Sequence, residues 1–169
     1  FGADLCYPRC VHMETVAMKS FRLKILFTTV MVLFLAILQP ANAEELMNAK
    51  KNQVAVKGYD VVAYFTMGEP TPGSENFEYM WRDVRWRFSS EEHKIAFESD
   101  PEKYAPRYGG YCAGGMALGR RAPIDPEAFV IVDGKLYLNF DKPTEEEFRA
   151  TTEESIAKAD ANWEQMNKR

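Results

Sequence analysis

The chain has 169 residues, of which 46% are apolar, and its 21 Lys and Arg stand against 25 Asp and Glu to give a formal charge of −4. This composition is ordinary for a globular domain with one modest core. A negative chain with no basic run beyond its N-terminal region has no electrostatic footprint for nucleic acid, so we expect no nucleic-acid partner. Three Cys without a Cys-x-x-Cys motif do not support a disulfide scaffold, a zinc ribbon or a thioredoxin site.

Residues 1–17 show neither helical nor strand periodicity. We expect them to be an upstream, non-native segment, with Met18 favoured over Met13 as the true start. The pattern changes at Met18, because three basic residues then precede an apolar run over 25–38.

Small residues at Ala41 and Ala43 follow that apolar run and precede Glu44. The layout predicts a signal peptide over 18–43 that is cut after Ala43, and hence a periplasmic or secreted protein. The apolar run is shorter than the roughly 20 residues that cross a hydrocarbon core, so we expect no stable membrane anchor after cleavage. The exported chain would then keep Cys112 as its only Cys and His93 as its only His.

A polar leader over 44–57 precedes a pattern of alternating short elements. Asp60 is expected to cap a short helix or end a turn. Aromatic-rich runs on either side of Arg82-Asp83 predict one β-hairpin, and apolar runs on either side of Asp133-Gly134 predict a second. Residues 109–117 are rich in small side chains, so their backbone is expected to lie close to a neighbour.

Capping boxes predict the helices. One box begins at Ser89 and places Ile95, Ala96 and Phe97 against the core; another begins at Thr144 and opens one amphipathic helix over 144–166. The two Asp-Pro pairs, at Asp100 and Asp125, each predict a further helix start. Together these elements predict an α+β domain of two hairpins, short helices and a C-terminal amphipathic helix that packs on the sheet.

Several blocks in this order resemble the YHS-domain family. They are WRDVRWRFSSEEHKIAFESDPEKY at 81–104, GYDVVAYF at 58–65, YGGYCA at 108–113 and DGKLYL at 133–138. The likeness covers roughly Gly58 to Trp163 of the domain predicted over 58–166, and the flanking blocks resemble an exported branch of the family.

The resemblance implies two kinds of chemistry. Shorter YHS domains occur beside copper and heavy-metal transport machinery and typically carry two Cys where the hairpin meets the helix. The matching positions here are Ser89 and His93, so both thiols are lost and only His93 could bind a metal. Some members of the exported branch contain selenocysteine, which implies a redox role.

The sequence leaves three functions open. The first is a non-catalytic binding protein for a soft metal ion, best matched by copper(I), with Cys112, Met116 and His93 as ligands. The second is a thiol redox protein that uses Cys112. The third is a structural or small-molecule-binding module in which Cys112 is core, as free Cys often is. We expect no enzyme, since no Ser-His-Asp arrangement, phosphate loop or carboxylate pair stands out.

Five arginines could form an anion site: Arg85, Arg87, Arg107, Arg120 and Arg121. Surfaces of mixed charge often carry such clusters, so we expect these arginines to belong to a solvated face.

Overall fold

The computed structural model describes residues 47–50 and 53–168, which form an α+β domain, so the predicted fold class is confirmed. The strands are β1 (Ser74–Trp81), β2 (Val84–Phe88), β3 (Asp125–Val132) and β4 (Lys135–Asn139). The helices are α1 (Ala63–Thr66), α2 (Glu91–Ser99), α3 (Pro101–Tyr104), α4 (Ala113–Ala117), α5 (Lys142–Ala150) and α6 (Thr152–Asn167), with short 3-10 turns at Ala55–Gly58 and Arg107–Gly110.

Both predicted hairpins are present, and both close through two residues with positive φ. Strand β1 pairs antiparallel with β2 across Arg82 (φ 52°) and Asp83 (φ 60°), and β3 pairs with β4 across Asp133 (φ 49°) and Gly134 (φ 68°). Two consecutive positive φ values are typical of the type I′ turn, whose twist matches that of the strands. Along β2 buried residues alternate with more exposed ones, as the sequence predicts.

The prediction that a helix starts at Asp125 is wrong, because this residue begins strand β3. Asp125 stands opposite Asn139 of β4, and its Oδ1 accepts a hydrogen bond from the Glu127 backbone N–H at 3.0 Å. The Asp side chain therefore makes a local turn within a bulged strand end and does not cap a helix.

The helix after the first hairpin starts one residue later than its capping box suggests. Ser90 is the cap, since its hydroxyl accepts a hydrogen bond from the His93 N–H at 3.3 Å, and Ser89 instead bonds to a buried carboxylate described below. Phe97 is fully buried as predicted, but Ile95 is 56% exposed, so the predicted core contact of Ile95 is wrong.

The single C-terminal helix predicted over 144–166 is divided into α5 and α6 at Thr151 (φ −128°, ψ 33°). The hydroxyl of Thr152 donates to the Phe148 and Arg149 carbonyls, so side-chain bonds compete with the helix ladder at the break. The cap is also shifted, since Asp141 Oδ1 accepts from the Thr144 N–H at 2.9 Å.

The core has two parts. The first surrounds the β1–β2 hairpin, where Phe97 contacts a set of aromatic rings: Tyr79, Trp81, Trp86 and Phe88. The second joins the other hairpin to the C-terminal helices through Val130, Tyr137, Phe148 and Ala159. This second cluster is the predicted packing of the amphipathic C-terminal helices on a sheet.

Part of the predicted leader packs on the domain, since Met47 is 5% exposed and Val54 bridges to Arg85 of β2. The predicted upstream segment 1–17 and signal peptide 18–43 lie outside the described residues. Within the described ranges, none of the helices has the length and apolar character needed to span a membrane.

Glu145 of α5 provides a pH-dependent contribution to stability. Its side chain is buried and accepts hydrogen bonds from Lys142 Nζ at 2.8 Å and Arg149 Nε at 2.9 Å. Burial raises the pKa of this carboxyl, but the hydrogen bonds and charges of Lys142 and Arg149 outweigh burial and leave the pKa lowered. The ionised form therefore stabilises the fold, and this contribution disappears as the pH falls through the lowered pKa.

We expect the free energy of unfolding of the wild type to exceed that of Glu145→Gln at pH 7, and the difference to shrink below about pH 4. Urea unfolding at several pH values measures it. Glu146→Gln, on the exposed face of α5, is the control and should change stability by less than about 0.5 kcal/mol. A Glu145→Gln difference that stays constant from pH 7 to pH 3 would contradict this assignment.

Candidate functional site

A cavity of about 630 Å³ opens where α4, α5 and α6 meet. This volume lies within the range of small-molecule sites in proteins. Three segments line the cavity. The segment of α4 and the following loop contributes Cys112, Gly114, Gly115, Ala117, Leu118, Arg120, Arg121, Ala122 and Pro123. The segment of α5 contributes Thr144, Glu147 and Phe148, together with Phe140 just before this helix in the chain, and the start of α6 contributes Thr151, Glu154, Ser155 and Lys158.

Cys112 forms part of the cavity floor. It is the N-cap of α4, its Sγ accepts a hydrogen bond from the Gly115 N–H at 3.2 Å, and its own N–H donates to the Ala122 carbonyl at 3.1 Å. The residue is only 1% exposed. The thiol is therefore fixed at the base of the cavity and does not project into solvent.

The glycines of α4 let α5 pack closely against α4. The Gly114 N–H donates to Asn139 Oδ1 at 3.2 Å, and a Cβ placed on Gly114 would lie 2.7 Å from Thr144 Cγ2. A Cβ on Gly115 would lie 3.0 Å from Ala122 Cβ. The predicted close approach of this small-residue segment is confirmed, and it sets the shape of the cavity floor.

Three cations and two carboxylates line the cavity. Lys158 pairs with Glu154 at 2.6 Å, and this hydrogen bond lowers the pKa of the Glu154 carboxyl. The Arg121 guanidinium donates to Asn167 at 3.3 Å. Among the described residues Arg120 makes no side-chain ion pair, so the lining carries one more cation than carboxylate and the charge of Arg120 is available to a ligand.

Two large apolar side chains of the lining are open to solvent. Leu118 is 73% exposed and Phe140 is 52% exposed. Arg120 is exposed, in agreement with the predicted solvated face, and both Arg120 and Arg121 also line the cavity together with these apolar groups. The loop over 118–123 and Phe140 thus offer a mixed apolar and cationic surface.

The structure places the three predicted metal ligands in three different surroundings. Cys112 belongs to the first core cluster, whereas Met116 is fully buried in the second, with Tyr108 and Phe148. The Met116 N–H donates to the Cys112 carbonyl at 2.9 Å, so the two residues are linked through the backbone of α4. His93 is held in a separate polar network.

In that network both ring nitrogens of His93 have partners. Nδ1 lies 2.6 Å from Asp60 Oδ2, and Nε2 lies 3.1 Å from Thr66 Oγ1. The Asp60 side chain has no exposure, and the His93 side chain is 17% exposed. A buried carboxylate therefore orients the imidazole so that Nε2 points at a surface hydroxyl.

Asp60 is the centre of this network. Its Oδ1 accepts hydrogen bonds from the N–H groups of Val62 at 2.9 Å and Ala63 at 3.3 Å, which begin α1. Its Oδ2 also accepts from the Ser89 N–H at 2.8 Å and the Ser89 hydroxyl at 2.6 Å. Asp60 therefore ends the turn that leads into α1, one of the two roles predicted for it, and bonds to N–H groups at the start of that helix. Its contacts with Ser89 and His93 were not predicted.

A carboxylate on one ring nitrogen is also how proteins orient a metal-binding histidine. Within the described part of the chain, however, no three His, Cys, Asp or Glu side chains lie close enough together to hold a metal ion. Copper binding by Cys112, Met116 and His93 stays a prediction.

Comparison with known proteins adds no relative: no family model, no curated protein and no solved structure matches this chain. The YHS resemblance therefore also stays a prediction. The chemistry of the cavity and of the Asp60–His93 network follows from their own residues.

Proposed function

We propose that this chain is an exported, YHS-like binding protein that holds a small molecule in the cavity between α4, α5 and α6. The observation that carries the proposal is the cavity itself, about 630 Å³ in volume, with a floor fixed by Cys112 and glycines. Pockets of this size with apolar walls and a few polar groups are typical ligand sites.

The lining indicates the chemistry of the ligand. Phe140 and Leu118 offer apolar contact to its body, and Arg120 offers a charge that attracts an anionic group. Lys158 and Glu154 already satisfy each other. An apolar molecule with one sulfonate, carboxylate or phosphate group fits this combination best.

The surroundings of Cys112 favour this function over the two thiol-based alternatives. Metal transfer and thiol exchange both need a sulfur that a partner can reach, and Cys112 is 1% exposed. Its Sγ already accepts a hydrogen bond from Gly115. The thiol is better suited to form part of the floor of a ligand site than to exchange metal with another protein.

The fluorescent anion 1-anilinonaphthalene-8-sulfonate combines an aromatic body with a sulfonate and is a direct probe of this cavity. We expect the wild type to bind it saturably with one site. Ser155→Trp places an indole on the cavity wall and should weaken the affinity at least tenfold, or about 1.4 kcal/mol.

Ala157→Trp is the matched control, since Ala157 is an exposed residue of the same helix α6 and does not line the cavity. It should leave the affinity unchanged. Thermal unfolding of both variants shows that each remains folded. Equal binding by the wild type and Ser155→Trp would show that the probe binds elsewhere and would contradict the proposed site.

A further inference from the structure

A second group of residues, away from the cavity lining, joins a buried carboxylate to a surface hydroxyl. Asp60 Oδ2 lies 2.6 Å from His93 Nδ1, and His93 Nε2 lies 3.1 Å from Thr66 Oγ1. The exposed fraction of the side chain rises from Asp60, which is fully buried, through His93 to Thr66, which is exposed. We infer that Thr66 is an acyl-acceptor hydroxyl for which His93 is the general base, with activated esters as the substrate class.

The hydrogen bonds to Asp60 set the tautomer of His93. Ser89 places its N–H against Asp60 Oδ2, which therefore acts as an acceptor, and the imidazole fits beside it as an Nδ1–H donor. In the neutral ring Nε2 then carries the lone pair. That lone pair faces Thr66, the arrangement in which a histidine takes a proton from a hydroxyl nucleophile.

The Thr66 hydroxyl proton has two possible acceptors. One is the Val62 carbonyl at 3.2 Å and the other is His93 Nε2 at 3.1 Å. The Val62 carbonyl already accepts from the Phe65 N–H at 3.0 Å and from the Thr66 N–H at 3.1 Å. A carbonyl oxygen has two lone pairs, and these two N–H groups occupy both lone pairs of the Val62 oxygen. The Thr66 hydroxyl proton is therefore better placed to bond to His93 Nε2.

The reaction is an acyl transfer without redox change. Thr66 Oγ1 attacks the carbonyl carbon of the ester while its proton moves to His93 Nε2. The bond between the carbonyl carbon and the leaving oxygen then breaks, and that oxygen takes the proton from Nε2. The products are an ester on Thr66 and one free alcohol. Asp60 keeps its hydrogen bond to Nδ1 throughout and stabilises the transient imidazolium.

The place of Thr66 on the fold limits the substrate. It is an exposed residue at the end of α1 and is not part of the cavity lining. A good leaving group must therefore supply the reactivity that an enclosed site would otherwise provide, and we expect one acylation per chain with activated esters.

To test the inference, the protein is incubated with p-nitrophenyl acetate, and the acetylated residues are located by peptide mapping with mass spectrometry. We expect acetylation at Thr66 at least tenfold faster than at Thr71, a nearby hydroxyl that bonds to the Glu69 carbonyl. His93→Gln should slow the acetylation of Thr66 at least tenfold. Thr66→Ser should keep the reaction, and Thr66→Ala should lose it from this position.

Thermal unfolding of each variant shows that the fold is retained before rates are compared. The result that overturns the inference is Thr66 acetylated no faster than Thr71, or at an equal rate in the wild type and His93→Gln. Acetyl groups found on His93 in the wild type, and not on Thr66, would also overturn it, because the imidazole would then be the nucleophile.

Discussion

Replacing Asp60 by Ala is expected to lower the free energy of unfolding by about 3–5 kcal/mol, as for the loss of one partner of a buried charged network. The variant leaves the N–H groups of Val62, Ala63 and Ser89 without their acceptor inside the protein. It also leaves the His93 Nδ1–H without a partner. Equilibrium urea unfolding measures the loss.

Asp60→Asn removes the negative charge of this side chain while nearly preserving its shape. It keeps an oxygen for the α1 N–H groups of Val62 and Ala63 but turns an NH₂ donor toward Ser89 and His93, which are donors themselves. We expect it to cost at least about 2 kcal/mol. Glu69→Ala, an exposed loop carboxylate, is the control, with an effect below about 0.5 kcal/mol. A stable Asp60→Ala variant would contradict the central role of this carboxylate.

Gly114→Ala is expected to cost about 1–3 kcal/mol, although alanine is the better helix former, because overpacking a tight contact strains the core. The added methyl would lie 2.7 Å from Thr144 Cγ2. Thr144 cannot turn away easily, since its hydroxyl donates to Asp141 Oδ1 at 2.5 Å. Urea unfolding measures the cost.

Thr144→Ser provides the rescue, because it removes Cγ2 and keeps the hydroxyl that bonds to Asp141. The double variant Gly114→Ala with Thr144→Ser should recover most of the stability that Gly114→Ala loses. A double-mutant cycle isolates this coupling. Purely additive effects would show that the contact with Thr144 is not the reason why Gly114→Ala is destabilising.

The elements that the sequence predicts well are those set by local chemistry. The Asp133-Gly134 turn follows from the backbone conformations that these residues tolerate, and the alternation in β2 follows from one buried face. The helix start predicted at Asp125 is wrong because an Asp side chain accepts a hydrogen bond from a nearby N–H equally well in a strand turn and in a helix cap. The break at Thr151 depends on side-chain bonds to carbonyls that apolar periodicity does not register.

The candidate site is less visible in the sequence because its parts are distant in the chain. The sequence indicates Cys112 as a candidate, but the cavity that this residue lines forms only because α6 lies beside α4, which is a tertiary contact. Asp60 and His93 are 33 residues apart, and they lie in two separate blocks of the YHS resemblance that do not indicate a contact between them. The only local signal was Asp60 before an apolar run, which indicated a helix cap and not a partner for His93.

The central claim, a ligand in the cavity between α4, α5 and α6, is tested most directly by NMR. Two-dimensional spectra of the ¹⁵N-labelled protein, recorded while 1-anilinonaphthalene-8-sulfonate is added, map the amides that respond. A parallel titration with copper(I) under reducing conditions tests the metal alternative. We predict that the organic anion shifts the amides of Gly114, Gly115 and Ser155 and leaves those of β1 unchanged. Shifts at these amides with copper(I) alone, or no shifts there with either probe, would contradict the claim.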